Sequence, residues 1–271
     1  MPIIKTKSLP LFENMKELNK KLDDPQASLR HRDIILGKPF LKQIYQEWYQ
    51  DFIQTSQSVK NEGDNRVGET NLEIGSGGGF LKSVFPEVLT SDILELPGVD
   101  LVCNAENLPF DDNSLSCIMM LNTFHHIPRP YLFLNEAQRT LKRGGKIIMI
   151  EPANTLLSRF IYQNFHHEPF DTKGEMEILP GNPLSNSNQA FPYIYFEREK
   201  NLFKENYPLL KINVIKYHTP LRYILSGGLS HKAMVPAGWY KFIKGVETLL
   251  SPLSKKVGLF CTIEIEKIGN C

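Results

Sequence analysis

Residues 71–80, NLEIGSGGGF, set one acidic side chain, Glu73, in an apolar run and follow it with glycines at 75, 77, 78 and 79. A backbone without Cβ atoms lets a bound group approach closely, and the amides that open a following helix point towards that group. Two phosphate-binding patterns do not fit. A phosphate-cradling loop closes on Gly-Lys-Ser/Thr, whereas Gly79 is followed by Phe80, Leu81 and Lys82. A dinucleotide loop counted from Gly75 and Gly77 needs a third glycine where Phe80 stands. Elsewhere, two pairs of adjacent histidines could do proton chemistry: His125 and His126 in NTFHHIPRP, and His166 and His167 in YQNFHHEPFD. An imidazole, with an unperturbed pKa of about 6.5, can accept a proton near neutral pH.

The elements that must position these residues follow from periodicity. In residues 40–53, FLKQIYQEWYQDFI, the apolar positions Phe40, Leu41, Ile44, Trp48 and Phe52 repeat at helical spacing, which predicts a helical N-terminal cap over 11–58, followed by a polar, glycine-bearing linker at 61–70. Short apolar runs then alternate with helical stretches: TNLEIGS, EVLTSDI, VDLVCNA, LSCIMMLN and GKIIMIEP. Such alternation predicts a parallel sheet wrapped by helices. From Pro152 to Pro208 the chain is rich in Pro, Asn, Phe and Tyr without clear periodicity, and is expected to be an insert or lid. Two final strands are expected in LLKINVIKYH and GLFCTIEIEKI. Between them Trp239, Phe242, Ile243, Val246, Leu249, Leu250 and Leu253 fall on one helical face.

Composition limits the classes. The chain has 271 residues, 41% of them hydrophobic, and a formal charge of +1, which does not favour nucleic acid as a partner. Cys103, Cys117, Cys261 and Cys271 are scattered and form no C-x-x-C pair, so they read as reduced thiols. No run of about 18 apolar residues suggests a membrane span, and a cytoplasmic protein is expected.

The pattern E-x-G-x-G-x-G at Glu73, Gly75, Gly77 and Gly79, followed by CNAENLPF and TLKRGGKIIMIEP in that order, resembles the class I S-adenosylmethionine-dependent methyltransferases, particularly the small-molecule branch with quinone-biosynthesis enzymes. The resemblance is strong over residues 70–151. It implies an α/β fold, doubly wound and Rossmann-like, with a seven-stranded mostly parallel sheet. The expected organisation is a cap and linker (1–66), a cofactor-binding core (67–151), a substrate-side insert (152–208) and C-terminal strands with a helix (209–271). The implied cofactor is S-adenosyl-L-methionine. Glu73, Gly75, Ser76 and Gly77 are then expected at its methionine portion and Asp92 at both ribose hydroxyls. Asn104, Ala105 and Glu106 are expected around adenine, and Leu121 and Asn122 beside the sulfonium. Asn104 stands where the family usually has aspartate.

Methyl transfer to an oxygen needs a general base. His166 and His167, in the insert, are the favoured candidates, with Glu168 orienting one ring, while His125 and His126 are expected to shape the site. The aromatics of the insert, Phe160, Tyr162, Phe165, Phe170, Phe191, Tyr193, Tyr195 and Phe196, suit a large amphipathic, lipid-linked or saccharide-linked acceptor or, alternatively, the core of a lid. For the helix at 239–253, packing against the sheet is favoured over contact with a membrane surface. Transfer to oxygen of a small-molecule or lipid-linked acceptor is the leading expectation. C-methylation of a quinone-like ring and non-catalytic cofactor binding are the alternatives.

Overall fold

The computed structural model describes residues 25–59, 70–166, 168–178 and 187–269. The expected linker at 61–69, His167 and Cys271 therefore lie outside the described residues, as does the chain before Pro25.

Seven strands form one sheet in the order β3-β2-β1-β4-β5-β7-β6. β1 (Thr70–Ile74) pairs in parallel with β2 (Leu89–Asp92) and with β4 (Leu115–Leu121); Leu72 lies beside Leu89 on one side and Ile118 on the other. β3 (Leu101–Val102) extends one edge, and β5 (Leu141–Pro152) continues from β4. β7 (Phe260–Lys267) runs antiparallel between β5 and β6 (Leu210–His218). The strand order reverses at β1 and β4. In open α/β sheets the crevice beyond the strand C-termini at such a switch point is where ligands bind.

Two apolar cores cover the two faces. On one, α1 (Pro25–Gly37) leads into α2 (Pro39–Gln57), whose residues Phe40, Leu41, Ile44, Trp48 and Phe52 are buried, as their spacing predicts. Proline at the first turn of α2 and α4 (Pro130–Thr140) costs no hydrogen bond, because those amides have no partner within a helix. A short α3 (Leu81–Val84) follows the glycine loop.

Between Pro152 and Pro208 the chain has more regular structure than its composition suggests. α5 (Leu156–Phe165) opens on Thr155, whose side chain accepts from the Ser158 amide while the Ser158 hydroxyl accepts from the Thr155 amide. Three linked helical segments, α6 (Phe191–Tyr193), a π-turn (Ile194–Arg198) and α7 (Lys200–Asn206), complete it. Phe191, Tyr195 and Phe196 are not acceptor-facing. They are buried with Phe124, Phe133 and Phe203, so their aromatic area holds this segment against the sheet.

The C-terminal helix packs on the core, but with only part of its expected apolar face. After α8 (Arg222–Leu225), α9 (Tyr240–Leu249) buries Tyr240, Ile243 and Glu247, while Trp239, Phe242 and Leu249 are exposed. The cause is electrostatic pinning. Arg222 donates from Nε to Glu247 Oε2 at 2.5 Å and from Nη1 to Glu47 Oε2 and the Tyr240 hydroxyl, both at 2.6 Å. Those bonds turn the Tyr240 and Glu247 side inward and leave the larger apolar stripe outside. α10 (Ser254–Val257) then leads into β7.

Candidate active site

A cleft of about 1150 Å³ opens at the C-terminal ends of β1, β2 and β4, where Gly75, Asp92 and Asn122 line it. One end is the glycine turn. Gly75 has φ 75°, and a Cβ there would meet Thr123 Oγ1 at 2.3 Å, so the position needs glycine for both conformation and space. A Cβ on Gly79 would meet the Tyr49 hydroxyl at 2.6 Å, and that hydroxyl accepts from the Phe80 amide at 3.1 Å. Thus α2 lies directly on the bare loop. From α1, Arg32 donates to the carbonyls of Gly79 (2.9 Å) and Gly77 (3.3 Å).

Two carboxylates stand at this end. Glu73 is buried, and desolvation pushes its pKa up to about 7 against the opposing pull of Ser76 and Arg32. Asp92 accepts from the Gly77 amide and the Leu94 amide, each at 3.0 Å; burial raises its pKa, and these bonds oppose the rise. Glu73, Gly75, Gly77, Asp92, Asn104, Ala105, Glu106, Leu121 and Asn122 all border the cleft. Three of the expected residues also have local tasks. The Ser76 hydroxyl turns to the sheet, donating to the Glu73 carbonyl (3.4 Å) and accepting from the Ser91 amide (3.2 Å). Glu106 accepts from Arg129 Nη2 at 2.6 Å and from the Arg129 amide at 2.8 Å. Asn104 Oδ1 accepts from the Glu106 amide at 2.9 Å, closing a turn that an aspartate would close equally well. The residues fit the implied cofactor: a buried carboxylate that lacks full compensation suits an ammonium, and a second with two acceptor oxygens suits vicinal hydroxyls.

At the other end the structure brings together groups far apart in sequence. His125 is buried, with Nδ1 2.5 Å from Glu151 Oε2 and Nε2 3.3 Å from Glu168 Oε2. Glu151 Oε1 also accepts from the Thr123 and Phe124 amides, both at 2.8 Å. Burial alone would lower the His125 pKa, but the two carboxylates override it and push it up to about 10, so this ring is cationic at neutral pH. His126 Nε2 lies 3.6 Å from Glu168 Oε1, and its ring packs on His125 with centroids 4.3 Å apart. Burial would raise the Glu168 carboxyl, yet His126, His125 and His166 hold it well below the ordinary range.

His166, expected as a base, borders the same cleft at the end of α5. Its Nδ1 accepts from Gln189 Nε2 at 2.7 Å and from the Glu168 amide at 3.3 Å. Glu168, read as a partner of His166, mainly faces His125 and His126. Sequence reasoning missed Glu151, Gln189 and the loop around Gly227–Ser230, which also lines the cleft. Glu151 carried one available signal: it is the acidic residue in the otherwise apolar strand end IIMIEP. Apolar walls come from Ile161, Tyr162, Phe165, Tyr223, Ile224 and Phe260.

With this geometry in view, the similarity to known proteins is informative. Residues 72–149 match a family described as "Methyltransferase domain". Together with the sheet order and the antiparallel β7, the match makes this part of the chain similar to the class I S-adenosylmethionine-dependent methyltransferases. The chain is 32% identical over 97 residues to the ubiquinone/menaquinone biosynthesis C-methyltransferase of Cellvibrio japonicus, covering 34% of this chain and 35% of that enzyme. It is 43% identical over 51 residues to a probable phthiotriol/phenolphthiotriol dimycocerosates methyltransferase of Mycobacterium ulcerans, covering 18% of this chain and 20% of that protein. The chain thus spans about two fifths or less of the length of the curated relatives it matches. Among solved structures it is similar to geranyl diphosphate C-methyltransferase from Streptomyces coelicolor A3(2), with 13% identity, TM-score 0.48, and coverage of 96% of this chain and 100% of that one.

Proposed function

We propose that this chain methylates a small molecule with a large apolar body, at an oxygen. The observation that carries the reading is the single cleft in which Glu73, the glycine turn and Asp92 face a histidine–carboxylate cluster and an apolar wall. S-adenosylmethionine, when bound, supplies an electrophilic methyl group on a sulfonium. Glu73, the backbone at Gly75 and Gly77, and Asp92 would hold it, with Asn104 and Ala105 at its adenine.

The remaining work falls to the acceptor end. Apolar walls exclude water and orient the acceptor, and alignment of the reacting atoms is the main requirement of an in-line displacement. Cationic His125 stabilises the negative charge left on the acceptor oxygen as its proton departs, and His166 borders the same end of the cleft. His126, beside the ionised Glu168, takes the acceptor proton, and the Glu168 charge stabilises the imidazolium that results. Transfer to carbon of an electron-rich ring is the second reading. It is favoured by the local likeness to C-methyltransferases, and it needs the same charge stabilisation.

The test is incubation of the protein with methyl-labelled S-adenosylmethionine and fractionated lipid and metabolite extracts, followed by NMR of the labelled product. A methyl on oxygen supports the first reading and a methyl on carbon the second; no labelled product in any fraction would overturn both. Once an acceptor is found, His126→Ala should lower turnover by about a hundredfold or more with cofactor affinity intact. Loss in His166→Ala alone would return the base to the insert.

A further inference from the structure

We infer that the outer face of α9, continued by the exposed side of α5, docks on an anionic lipid bilayer and sets the mouth of the cleft against it. Trp239, Phe242, Val246, Leu249 and Leu253 recur at spacings of three and four, which places them along one side of α9 and the turn after it. Four of them are exposed: Trp239 by 55%, Phe242 by 66%, Leu249 by 82% and Leu253 by 47%. The helix cannot roll to bury this stripe, because the opposite side holds Glu247 and Tyr240 on Arg222. On α5, Phe160 and Phe165 are also exposed and pack edge to face, with centroids 5.7 Å apart. Isolated exposed apolar residues are normal on a protein surface; a periodic stripe with an aromatic pair at each site marks a contact surface.

Charge selects the occupant. Residues 232–256 contain the exposed Lys232, Lys241, Lys255 and Lys256, with Lys244 paired to Glu47 at 2.6 Å, against one acidic residue, Glu247, which is buried on Arg222. A helix with an apolar stripe, a tryptophan at its start and lysines flanking it has the composition of an interfacial helix on anionic headgroups. Continuity with the cleft sets the location: exposed Met234, just before α9, and exposed Phe165, at the end of α5, both line the cleft. An acceptor dissolved in the bilayer would then enter without crossing water; that consequence rests on the proposed methyl transfer, whereas the docking does not.

Sedimentation with vesicles of phosphatidylcholine containing phosphatidylglycerol tests the docking without any methyl-transfer assay. The protein should sediment with these vesicles, less at high salt and less with phosphatidylcholine alone. Trp239 emission should shift to the blue; Trp48, the other tryptophan, is buried and serves as a constant background. Phe242→Ser combined with Leu249→Ser should weaken partitioning by about tenfold or more, and Lys255→Glu with Lys256→Glu should remove the preference for the anionic lipid. All four positions are exposed, so unchanged thermal unfolding confirms that the variants fold. The proposal fails if the intact protein ignores both kinds of vesicle. It also fails if the emission shift appears without lipid as the protein forms a dimer, which would make the stripe a contact between copies of this chain.

Discussion

The two ends of the cleft are built differently. The cofactor end is a local construction: β1, the glycine turn and the tip of β2 bring Glu73, Gly75 and Asp92 together within one strand-turn-strand unit. The acceptor end is assembled from the end of β4, the end of β5, the segment after α5 and the loop after α8. One is set by backbone conformation and the other by a buried charge network. The first tolerates few side chains and little movement. The second can keep its scaffold while the surrounding walls change to suit another acceptor.

Breaking the charge network should have the largest effect. Glu151 meets His125 and two backbone amides in a buried site, so Glu151→Ala leaves an uncompensated imidazolium and two unsatisfied donors. Removing one partner of such a pair costs about 3–5 kcal/mol, measurable by urea unfolding. The pH dependence follows from the raised His125 pKa. A cation stabilised in the folded state contributes fully below the unfolded value near 6.5, and this contribution is lost as pH rises through about 10. Wild-type stability should therefore fall across that window and the fall should be absent in His125→Gln. A wild-type profile flat from neutral to alkaline pH would show that the ring is neutral and the acceptor end is not charge-built.

The cofactor end should respond in ligand affinity more than in stability. Asp92→Ala is expected to weaken S-adenosylhomocysteine by about 1.5–3 kcal/mol, the range for hydrogen bonds to a charged group, and to reduce the thermal shift that the ligand produces. Asp92 also receives the Gly77 and Leu94 amides, so circular dichroism must show an intact fold. Unchanged affinity in a folded variant would remove the ribose assignment.

This contrast also explains what could be read from the sequence. Glu73, Gly75, Gly77 and Asp92 could be placed at one cleft from the sequence because a short segment with a fixed order carries them. All seven strands left short apolar runs, β4 the plainest with six of its seven residues buried. Glu151 was not legible as a partner of His125, since 26 residues separate them and only the β4–β5 pairing brings their strand ends together. The outward part of α9 was not legible for a related reason, although Ile243 packs into the core as expected. Helical spacing shows that Trp239, Phe242 and Ile243 share a side, but the Arg222–Glu247 pair, invisible to periodicity, decides which part of that side faces the protein.

A smaller effect sharpens the picture of the cofactor end. With a pKa near 7, Glu73 is only partly ionised at neutral pH, and a cationic ligand group requires the carboxylate. Affinity for S-adenosylhomocysteine should rise by up to about tenfold per pH unit below 7 and level off above it. For the ligand-free fold the sign is opposite. A carboxyl whose folded pKa exceeds its unfolded value of 4.5 loses stability as pH rises from there to about 7. Glu73→Gln should flatten both profiles; parallel profiles in the two proteins would assign the titration to another group.

The smallest expected change is at Asn104, where the two roles of one side chain can be separated. Its Oδ1 closes the turn on the Glu106 amide, and the neighbouring backbone carbonyl accepts from Asn107 at 3.0 Å. An aspartate presents an acceptor oxygen in the same place, so Asn104→Asp should change both stability and S-adenosylhomocysteine affinity by no more than about 0.5 kcal/mol. Leucine keeps the bulk and loses the acceptor. Because Asn104 is exposed, water can take up the freed Glu106 amide, and Asn104→Leu should cost about 0.5–1.5 kcal/mol, the net range for one hydrogen bond. Where that loss appears is the informative part. If it appears in urea unfolding while ligand affinity stays constant, the side chain serves the turn alone and the adenine contact comes from the backbone around Ala105. If affinity falls by more than stability, the side-chain oxygen reaches the ligand as well, and the cofactor end relies on side-chain chemistry at its adenine pocket in addition to the bare backbone of its glycine turn.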